Sequence, residues 1–242
     1  MLPLFLALET ATDTCSVALF QGAELLACSE TRQPRLHNRL LAHLADELLR
    51  SLDIAPTDLA AVALSAGPGS YTGLRVGASL AQGLCLALNR PLIAVPSTEV
   101  LAAAALTTLP HPKATILPLI DARRMEVYTA PYSPALEALG PIEARIVEAT
   151  TADALAGAGV SVVALGDGAA KCAPLWAGRP LTWVFGDLRS TAAAMGVSVY
   201  RRYLAADLTP AIGFEPFYLK PVHTRPSRDP LGREPQPTLP CD

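Results

Sequence analysis

The sequence contains few charged residues. They make up 17% of its 242 positions, and the formal net charge is −3 with an isoelectric point near 5.8. A protein that binds nucleic acid by itself usually carries a strongly basic surface, because phosphate contacts supply most of the affinity. The composition therefore argues against autonomous binding of RNA or DNA.

Long hydrophobic runs are also missing, although the chain is apolar overall. Hydrophobic residues make up 51% of the sequence, and the mean hydropathy is +0.32. The longest apolar stretches, 80–88 and 100–109, fall well short of the ~20 residues that a membrane helix needs. Residues 1–8 lead into a predicted strand without a basic start or cleavage site, which predicts a cytoplasmic protein with no membrane contact. The apolar excess predicts a large core or a partner-covered surface.

The cysteines and histidines form none of the usual metal-binding patterns. The five cysteines lie far apart with no CxxC pair, and we interpret them as reduced thiols rather than as a zinc site or a disulfide framework. Of the four histidines, His37 and His43 are six residues apart and lie on different faces of a predicted helix. The HxxxH spacing that would place two rings on one face is absent. No metal site is expected.

Signatures of hydrolases are absent as well. Pro68 stands two places before Ser70, so the GxSxG nucleophile elbow fails. The chain has no HExxH sequence for a zinc peptidase, and its glycine-rich turn lacks the Lys-Ser/Thr ending of a P-loop. A peptidase is therefore disfavoured.

The first part of the chain has the element order of a ribonuclease-H-like α/β unit, which we assign to residues 1–104. Short apolar segments bounded by turn residues predict strands, and leucines recurring every three or four residues predict an amphipathic helix. The predicted strands are 4–8, 16–20, 25–31, 60–65 and 92–95, and the predicted helices are 36–49 and 72–88.

The second part repeats this order in reduced form, which predicts a smaller domain of the same type at residues 105–187. An amphipathic helix near 190–205 is predicted to return to the first domain, within a segment spanning 188–220. The proline-rich residues 221–242 are predicted to be a loose tail. Within the second domain the predicted strands are 115–120, 126–130 and 160–165, and the predicted helices are 151–158 and 169–176.

The most informative segment is a glycine-rich turn followed by the second helix. Gly73, Gly77 and Ala81 recur every four residues and form a groove of small residues along one side of that helix. Each glycine in a helix interior costs about 1 kcal/mol relative to alanine, so a close backbone contact should offset it. The groove packs either on the preceding helix or on a partner chain. Apolar residues surround the helix from Leu74 to Leu88, which favours partial coverage by a partner.

Several segments together resemble the TsaB (YeaZ-like) family. The most specific is GPGSYTGLRVG at 67–77, a glycine-proline-glycine turn followed by an aromatic-Thr-Gly-Leu/Val-Arg helix start. The matches run from Leu4 to Lys220 in the family's order, and Lys220 stands where the family usually has Arg. The other matching segments are LALETATDTCSVAL (6–19), HNRLL (37–41), AQGLCLAL (81–88), PLIAVPSTEVLAAAA (91–105), IDAR with EVY (120–123 and 126–128), GDGA (166–169) and FYLK (217–220).

This resemblance implies the α/β fold of the actin-like, sugar-kinase and Hsp70 superfamily, with two ribonuclease-H-like domains of which the second is reduced. It implies a non-catalytic scaffold that pairs with the paralogue TsaD. The pair would transfer threonylcarbamoyl to the adenosine adjacent to the anticodon, in tRNAs reading codons that start with A. TsaD would be the enzyme, holding ATP and a divalent metal, and the ATPase TsaE would dock on the pair. This chain alone would bind no cofactor, would form homodimers without TsaD, and would meet tRNA only through the complex.

The same resemblance assigns the TsaD contact largely to the first two helices. No catalytic, cofactor-binding or metal-binding residues are predicted, and Arg123 is expected to face the cleft between the domains. The predicted partner-interface residues are His37, Leu40, Leu41, Leu44, Gly73, Leu74, Arg75, Gly77, Ala78, Ala81, Gln82 and Cys85.

An autonomous ATP-dependent enzyme of the same fold, such as a small kinase, is the alternative. Kinases of the superfamily hold phosphates with glycine-rich hairpin turns. Here the first turn, 10–14, has no glycine. The second, 121–125, carries Arg123 and Arg124 at positions where glycine would leave the backbone open to a phosphate. Because arginine can bind phosphate as well as block it, the second turn lowers the expectation of nucleotide binding and leaves the alternative open.

Overall fold

The structure of the chain is a computed structural model, which describes residues 2–33, 36–108, 114–148, 162–177, 181–184 and 188–220. Its helices are α1 (His37–Ser51), α2 (Tyr71–Leu88), α3 (Ser97–Thr108), α4 (Ala169–Cys172) and α5 (Gly196–Leu204), with 3₁₀ turns at Pro56–Asp58 and Ala192–Ala194. Its strands are β1 (Leu4–Glu9), β2 (Cys15–Gln21), β3 (Glu24–Thr31), β4 (Leu59–Ser65), β5 (Leu92–Val95), β6 (Thr115–Pro118), β7 (Ile120–Asp121), β8 (Glu126–Thr129), β9 (Glu143–Ile146), β10 (Val162–Leu165) and β11 (Leu181–Val184).

The first lobe is built on a five-stranded sheet of order β3-β2-β1-β4-β5. β1 pairs antiparallel with β2 and parallel with β4, so the chain crosses over through α1 between them. The alternation of side chains along β1 assigns its two faces. Phe5 and Ala7 pack into the core cluster of α3 and α5, whereas Leu6 and Leu8 pack into that of α1 and α2. This is the predicted ribonuclease-H-like order, and each of the five strands ends within one residue of its predicted limits.

The second lobe contains two three-stranded sheets, of order β11-β10-β6 and β7-β8-β9. The sequence predicted one strand over 115–120, but β6 ends at Pro118 and β7 begins at Ile120. β6 pairs with β10, whereas β7 leaves that sheet and pairs with β8. Proline has no amide hydrogen to donate to a strand ladder, which favours such a break.

Other predictions for this half have mixed outcomes. The helix predicted at 169–176 is found only as α4, Ala169–Cys172. The helix predicted at 151–158 and the tail 221–242 lie outside the described residues, and the domain boundaries stay predictions. Within the described part of the chain, no helix is long and apolar enough to cross a membrane.

The sequence did not predict α3, whose residues from Ser97 to Ala105 are all buried. A helix that is apolar all round has no three-to-four-residue periodicity, which explains the omission. The helix joins the lobes through Thr98, whose hydroxyl oxygen lies 2.9 Å from that of Tyr132 in the second lobe. It is also held to α5, because Glu99 receives two hydrogen bonds from the Arg202 guanidinium, of 2.8 and 2.6 Å. One core cluster therefore contains residues of both lobes.

The glycines at the start of α2 lie against the turn between β1 and β2. A Cβ added to Gly73 would lie 2.0 Å from the Thr10 carbonyl oxygen, and one added to Gly77 would lie 2.4 Å from the Thr10 hydroxyl oxygen. At Gly69 it would lie 2.3 Å from the Ala11 carbonyl oxygen. The small-residue groove thus receives the β1–β2 turn of its own lobe. Both interpretations from the sequence, packing on the preceding helix or on a partner, are wrong for these glycines.

Replacing Gly73 by alanine should lower the free energy of unfolding by about 2 kcal/mol or more, because the added methyl group overlaps a fixed carbonyl. Gly83→Ala in the same helix is the matched control, since nothing lies within 4 Å of its added Cβ. That control should raise the free energy of unfolding by about 0.5–1 kcal/mol. Urea unfolding followed by circular dichroism measures both, and equal values for the two variants would contradict the contact.

Candidate functional site

An open groove lies between α1 and α2 on the surface of the first lobe. It encloses about 510 Å³, and Leu41, Val76 and Leu80 supply much of its apolar wall. We call it the α1–α2 groove. Its lining residues are His37, Asn38, Leu41, Ala42, Tyr71, Thr72, Arg75, Val76, Ser79 and Leu80.

The two faces of α2 do different things. Leu74, Ala78 and Ala81 are buried within the lobe, on the same side as the glycines that contact the β1–β2 turn. Val76 and Ser79 lie on the other side, where they line the α1–α2 groove. Because residues three or four apart share one face of a helix, the buried residues form one side of α2 along its length and the groove-lining residues form another.

The structure divides the predicted interface residues into two sets. Arg75 is exposed, Leu40, Leu44 and Gln82 are half-buried, and His37 and Leu41, although buried, line the α1–α2 groove. These remain predicted interface residues. The residues that are buried and do not line the groove, for which the assignment is corrected, are Gly73, Leu74, Gly77, Ala78, Ala81 and Cys85. The error arose because the small-residue side of α2 was taken for the partner side.

Gln82, one of the predicted interface residues, is engaged by its own chain. Its side-chain amide donates to the carbonyl oxygens of Ala211 and Phe214 at 2.8 and 3.2 Å.

Sequence reasoning also missed much of the groove itself. The helical spacing of the α2 lining residues would have been the usable signal. The groove residues that were missed are Asn38, Ala42, Tyr71, Thr72, Val76, Ser79 and Leu80.

A second concavity, which we call the cleft, lies between the two lobes and encloses about 400 Å³. The β1–β2 turn and the start of α2 form its first-lobe side, and the β7–β8 turn forms its second-lobe side. Arg123 is among its lining residues. The complete lining is 11–13, 68–71, 120–124, 126, 128, 167 and 217–220.

Glu9, at the end of β1, is fully buried beside the cleft. Its Oε1 accepts hydrogen bonds from the Ala11 amide at 2.6 Å and the Ser65 hydroxyl at 2.8 Å. Its Oε2 accepts one from the Ser190 hydroxyl at 2.6 Å. Burial raises the pKa of Glu9, and these hydrogen bonds offset part of the rise. The carboxyl group is therefore occupied by its own chain and does not project into the cleft.

The β1–β2 turn has most of its backbone groups engaged as well. The Ala11 carbonyl accepts from the Ser70 amide at 2.7 Å. His37 Nε2 lies 3.0 Å from the Thr12 carbonyl oxygen, so this nitrogen carries the proton and donates. The Thr14 amide donates to the Thr12 hydroxyl at 3.4 Å. The amides of Thr10, Ala11 and Thr14 donate to side chains of the chain itself, which leaves those of Thr12 and Asp13 as the N–H groups of this turn available to a phosphate group in the cleft.

The β7–β8 turn holds two consecutive non-glycine residues in the left-handed region, Arg123 at φ 65° and Arg124 at φ 52°. This conformation costs about 1–2 kcal/mol per residue. Asp121 Oδ1 helps to hold it, accepting from the Arg123 amide at 2.7 Å and from Lys171 Nζ at 2.5 Å. Lys171 also donates to the carbonyls of Arg124 and Glu126. Asp121 and Lys171 therefore hold the turn in this conformation, and both arginines line the cleft.

The segment 217–220 crosses from one side of the cleft to the other. The Phe217 amide donates to the Ala66 carbonyl at 2.7 Å in the first lobe. Lys220 donates to the Glu126 carboxylate at 2.5 Å and to the Ala122 carbonyl at 3.0 Å in the second. The Lys220 hydrogen bond lowers the pKa of Glu126. The segment therefore ties the lobes together at the cleft.

Comparison with known proteins identifies relatives of the chain. A family profile described as "TsaD: tRNA N6-adenosine threonylcarbamoyltransferase" matches residues 24–159, more than half of the chain. A tRNA threonylcarbamoyladenosine biosynthesis protein TsaB of Haemophilus influenzae is 38% identical over 123 residues, 51% of each chain. Its namesake in Escherichia coli is 38% identical over 127 residues, 52% of this chain and 54% of the relative. The chain therefore matches about half the length of these relatives.

A solved structure extends the likeness to most of the chain. "YeaZ from Pseudomonas aeruginosa" superposes with a TM-score of 0.79 at 27% identity, covering 90% of this chain and all of that one. Together with the strand order of the first lobe, this likeness confirms the predicted fold class, the α/β fold of the actin-like, sugar-kinase and Hsp70 superfamily.

The buried Glu9 carboxyl generates a prediction about pH. Because its folded-state pKa is raised, the stability that it contributes is complete below its ordinary value of 4.5 and is lost as pH rises through the folded-state value. Glu9→Gln should remove this loss, so the free energy of unfolding of the wild type should fall relative to the variant between pH 4.5 and neutrality. Urea unfolding across that range measures it, with the exposed Glu24→Gln as control. Parallel profiles for wild type and Glu9→Gln would refute the effect.

Proposed function

Because the chain belongs to the TsaB (YeaZ-like) family, we propose that it takes part in making threonylcarbamoyladenosine in tRNA, as a non-catalytic partner of a TsaD-type transferase. The names of its relatives suggest the pathway. The open α1–α2 groove is the observation that carries the role of a docking subunit.

The chemistry of the groove supports docking of a protein. The half-buried Val76 and Leu80 present apolar surface to water between two helices, above the buried Leu41, and burying such surface contributes about 25 cal/mol per Å². An apolar channel between two helices suits an amphipathic helix of a partner. At one end, Arg75 donates to the Tyr71 hydroxyl at 3.0 Å and is exposed, which leaves polar groups at the rim.

A TsaD-type paralogue is the partner that this proposal names, and a second copy of the chain would occupy the groove when that paralogue is missing. The ATPase TsaE would then dock on the pair, and tRNA would be reached through the complex. Threonylcarbamoyl transfer to the adenosine adjacent to the anticodon, in tRNAs reading codons that start with A, would be the work of the partner.

The cleft supports the non-catalytic part of the proposal. In a kinase of this fold the first turn would offer amides to phosphate and an acid to a cation. Here the Glu9 carboxyl is buried and hydrogen-bonded to two hydroxyls and an amide of its own chain. The Ala11 amide donates to Glu9 and is therefore not available to a phosphate. ATP and a divalent metal are therefore expected at the partner.

Placing an arginine in the groove should break the partner complex without unfolding the chain. Ser79 and Ala42 are exposed groove residues on facing helices, and Ser79→Arg or Ala42→Arg should weaken binding of the TsaD-type protein of the same organism at least about 100-fold, because an unpaired charge would be buried. Size-exclusion chromatography of the mixture and restoration of threonylcarbamoylation with purified components measure the effect.

Ala205→Arg is the matched control for these variants. Ala205 is exposed and follows α5, which packs on the opposite face of the sheet from α1 and α2. The Ala205→Arg protein should bind the partner as the wild type does. All three variants should keep the thermal midpoint of unfolding of the wild type. Full binding by both groove variants would rule out this docking surface.

Titration of ATP and magnesium into the lone chain tests the non-catalytic part separately. No binding is expected in the micromolar range, because the first turn has few free amides and the Glu9 carboxyl beside it is engaged by its own chain. Tight binding with hydrolysis would contradict the scaffold role and favour a small kinase of the same fold.

A further inference from the structure

The two arginines of the β7–β8 turn are charged groups that the docking role does not use. Both side chains line the cleft, and neither guanidinium forms a hydrogen bond or an ion pair with a residue that the structure describes. Both occupy the left-handed backbone region that favours glycine and asparagine. Backbone strain of this kind is retained mainly where surrounding contacts impose it, and it is concentrated at ligand-binding sites.

The neighbouring charges of the cleft are already matched. Lys171 pairs with Asp121, and Lys220 pairs with Glu126. Asp167 is half-buried, and its Oδ1 accepts a hydrogen bond from the Asp121 amide at 2.9 Å. The charges left over are those of Arg123 and Arg124, opposite the carboxylates of Asp13 and Asp167. With Lys171 included, the four cations and four carboxylates at the cleft balance, and the two arginines are the cations among them that pair with no described residue.

Aromatic side chains line the same cleft. Tyr71, Phe217 and Tyr218 remain 37%, 45% and 36% exposed, although aromatic residues make up only 5% of the sequence. The rings of Tyr71 and Tyr218 lie 4.9 Å apart between centroids, and the Arg75 guanidinium lies 5.5 Å from the centroid of Tyr71. Exposed rings beside arginine are the surfaces on which unpaired bases stack.

From this combination we propose that the cleft binds a short stretch of single-stranded RNA, with Arg123 and Arg124 contacting backbone phosphates and Tyr218 and Phe217 stacking on bases. The inference rests on the proposed function, which brings an RNA substrate to the complex. A single strand is favoured over a duplex because only unpaired bases can stack on side chains. It is favoured over a free nucleotide because the β1–β2 turn has few amides left to hold phosphates.

Binding to the full-length chain is tested with a fluorescent 17-nucleotide RNA hairpin that has a seven-nucleotide loop. A blunt duplex of equal length and inorganic pyrophosphate serve as the competing ligands. The main variant is Arg123→Asn with Arg124→Gly, since both new residues accept the left-handed conformation and the fold should become more stable. Its control, Arg50→Ala with Arg90→Ala, removes the same charge at the far ends of α1 and α2.

The main variant should bind the hairpin at least about 10-fold more weakly, and its slope of log affinity against log salt should shrink by about 1.4, as two single-strand phosphate contacts require. Tyr218→Leu should weaken binding about 5-fold or more without changing the slope. The control should stay within about 2-fold of the wild type. A higher thermal midpoint for the main variant would show that the lost binding is not lost folding.

Three results would overturn the proposal. The wild type could fail to bind the hairpin at low salt, it could bind hairpin and duplex with equal affinity, or it could bind pyrophosphate but not the hairpin. Partner binding is measured on the same variants by size-exclusion chromatography. A main variant that keeps its partner but loses RNA affinity supports the inference. Loss of partner binding in Ser79→Arg bears on the docking proposal alone, because that residue does not line the cleft.

Discussion

The close contact between the start of α2 and the β1–β2 turn is the constraint on which the rest of the structure depends. Gly69 and Gly73 allow the backbone carbonyls of Ala11 and Thr10 to approach closely, and Gly77 leaves room for the Thr10 hydroxyl, at distances that an added Cβ would not permit. This contact sets where α2 lies on the sheet. His37 extends the constraint to α1 through its hydrogen bond to Thr12. Both walls of the α1–α2 groove and one wall of the cleft therefore derive their positions from a single turn.

The same turn explains how a fold shared with kinases can support a different role. Its acid, Glu9, is withdrawn into the core and bonded to Ser65 and Ser190, and its carbonyls accept from Ser70 and His37. Groups that could face a ligand instead hold α1, α2, β4 and the segment before α5 in place. The polar atoms of the turn thus serve packing, whereas the α1–α2 groove on the helices and the arginine turn of the second lobe remain open.

Much of the first lobe could be predicted from the sequence, because its strands alternate with clear turn signals and α1 has a regular leucine spacing. The buried helix α3 could not, since residues that are apolar on every side carry no period. The break at Pro118 depends on which strand pairs with which, and local propensity does not contain that information.

The candidate site was predicted only in part. The spacing of Gly73 and Gly77 indicated a close backbone approach, which is found at Gly73, whereas a side-chain hydroxyl approaches Gly77; spacing alone cannot say which segment approaches. The interface residues were therefore placed partly on the wrong face of α2. Arg123 was expected in the cleft and lines it, but its left-handed backbone and the support from Lys171 arise from tertiary contacts that no local pattern encodes.

The buried helix α3 has a consequence for how the molecule can move. Its core cluster includes side chains from both lobes, and the Thr98–Tyr132 and Glu99–Arg202 contacts bridge it to the second lobe and to α5. A hinge motion that opened the cleft widely would have to separate second-lobe side chains from this apolar helix and break the Thr98–Tyr132 hydrogen bond. These contacts oppose a change in the angle between the lobes. An incoming molecule meets a preformed shape, and association loses little conformational entropy in ordering it.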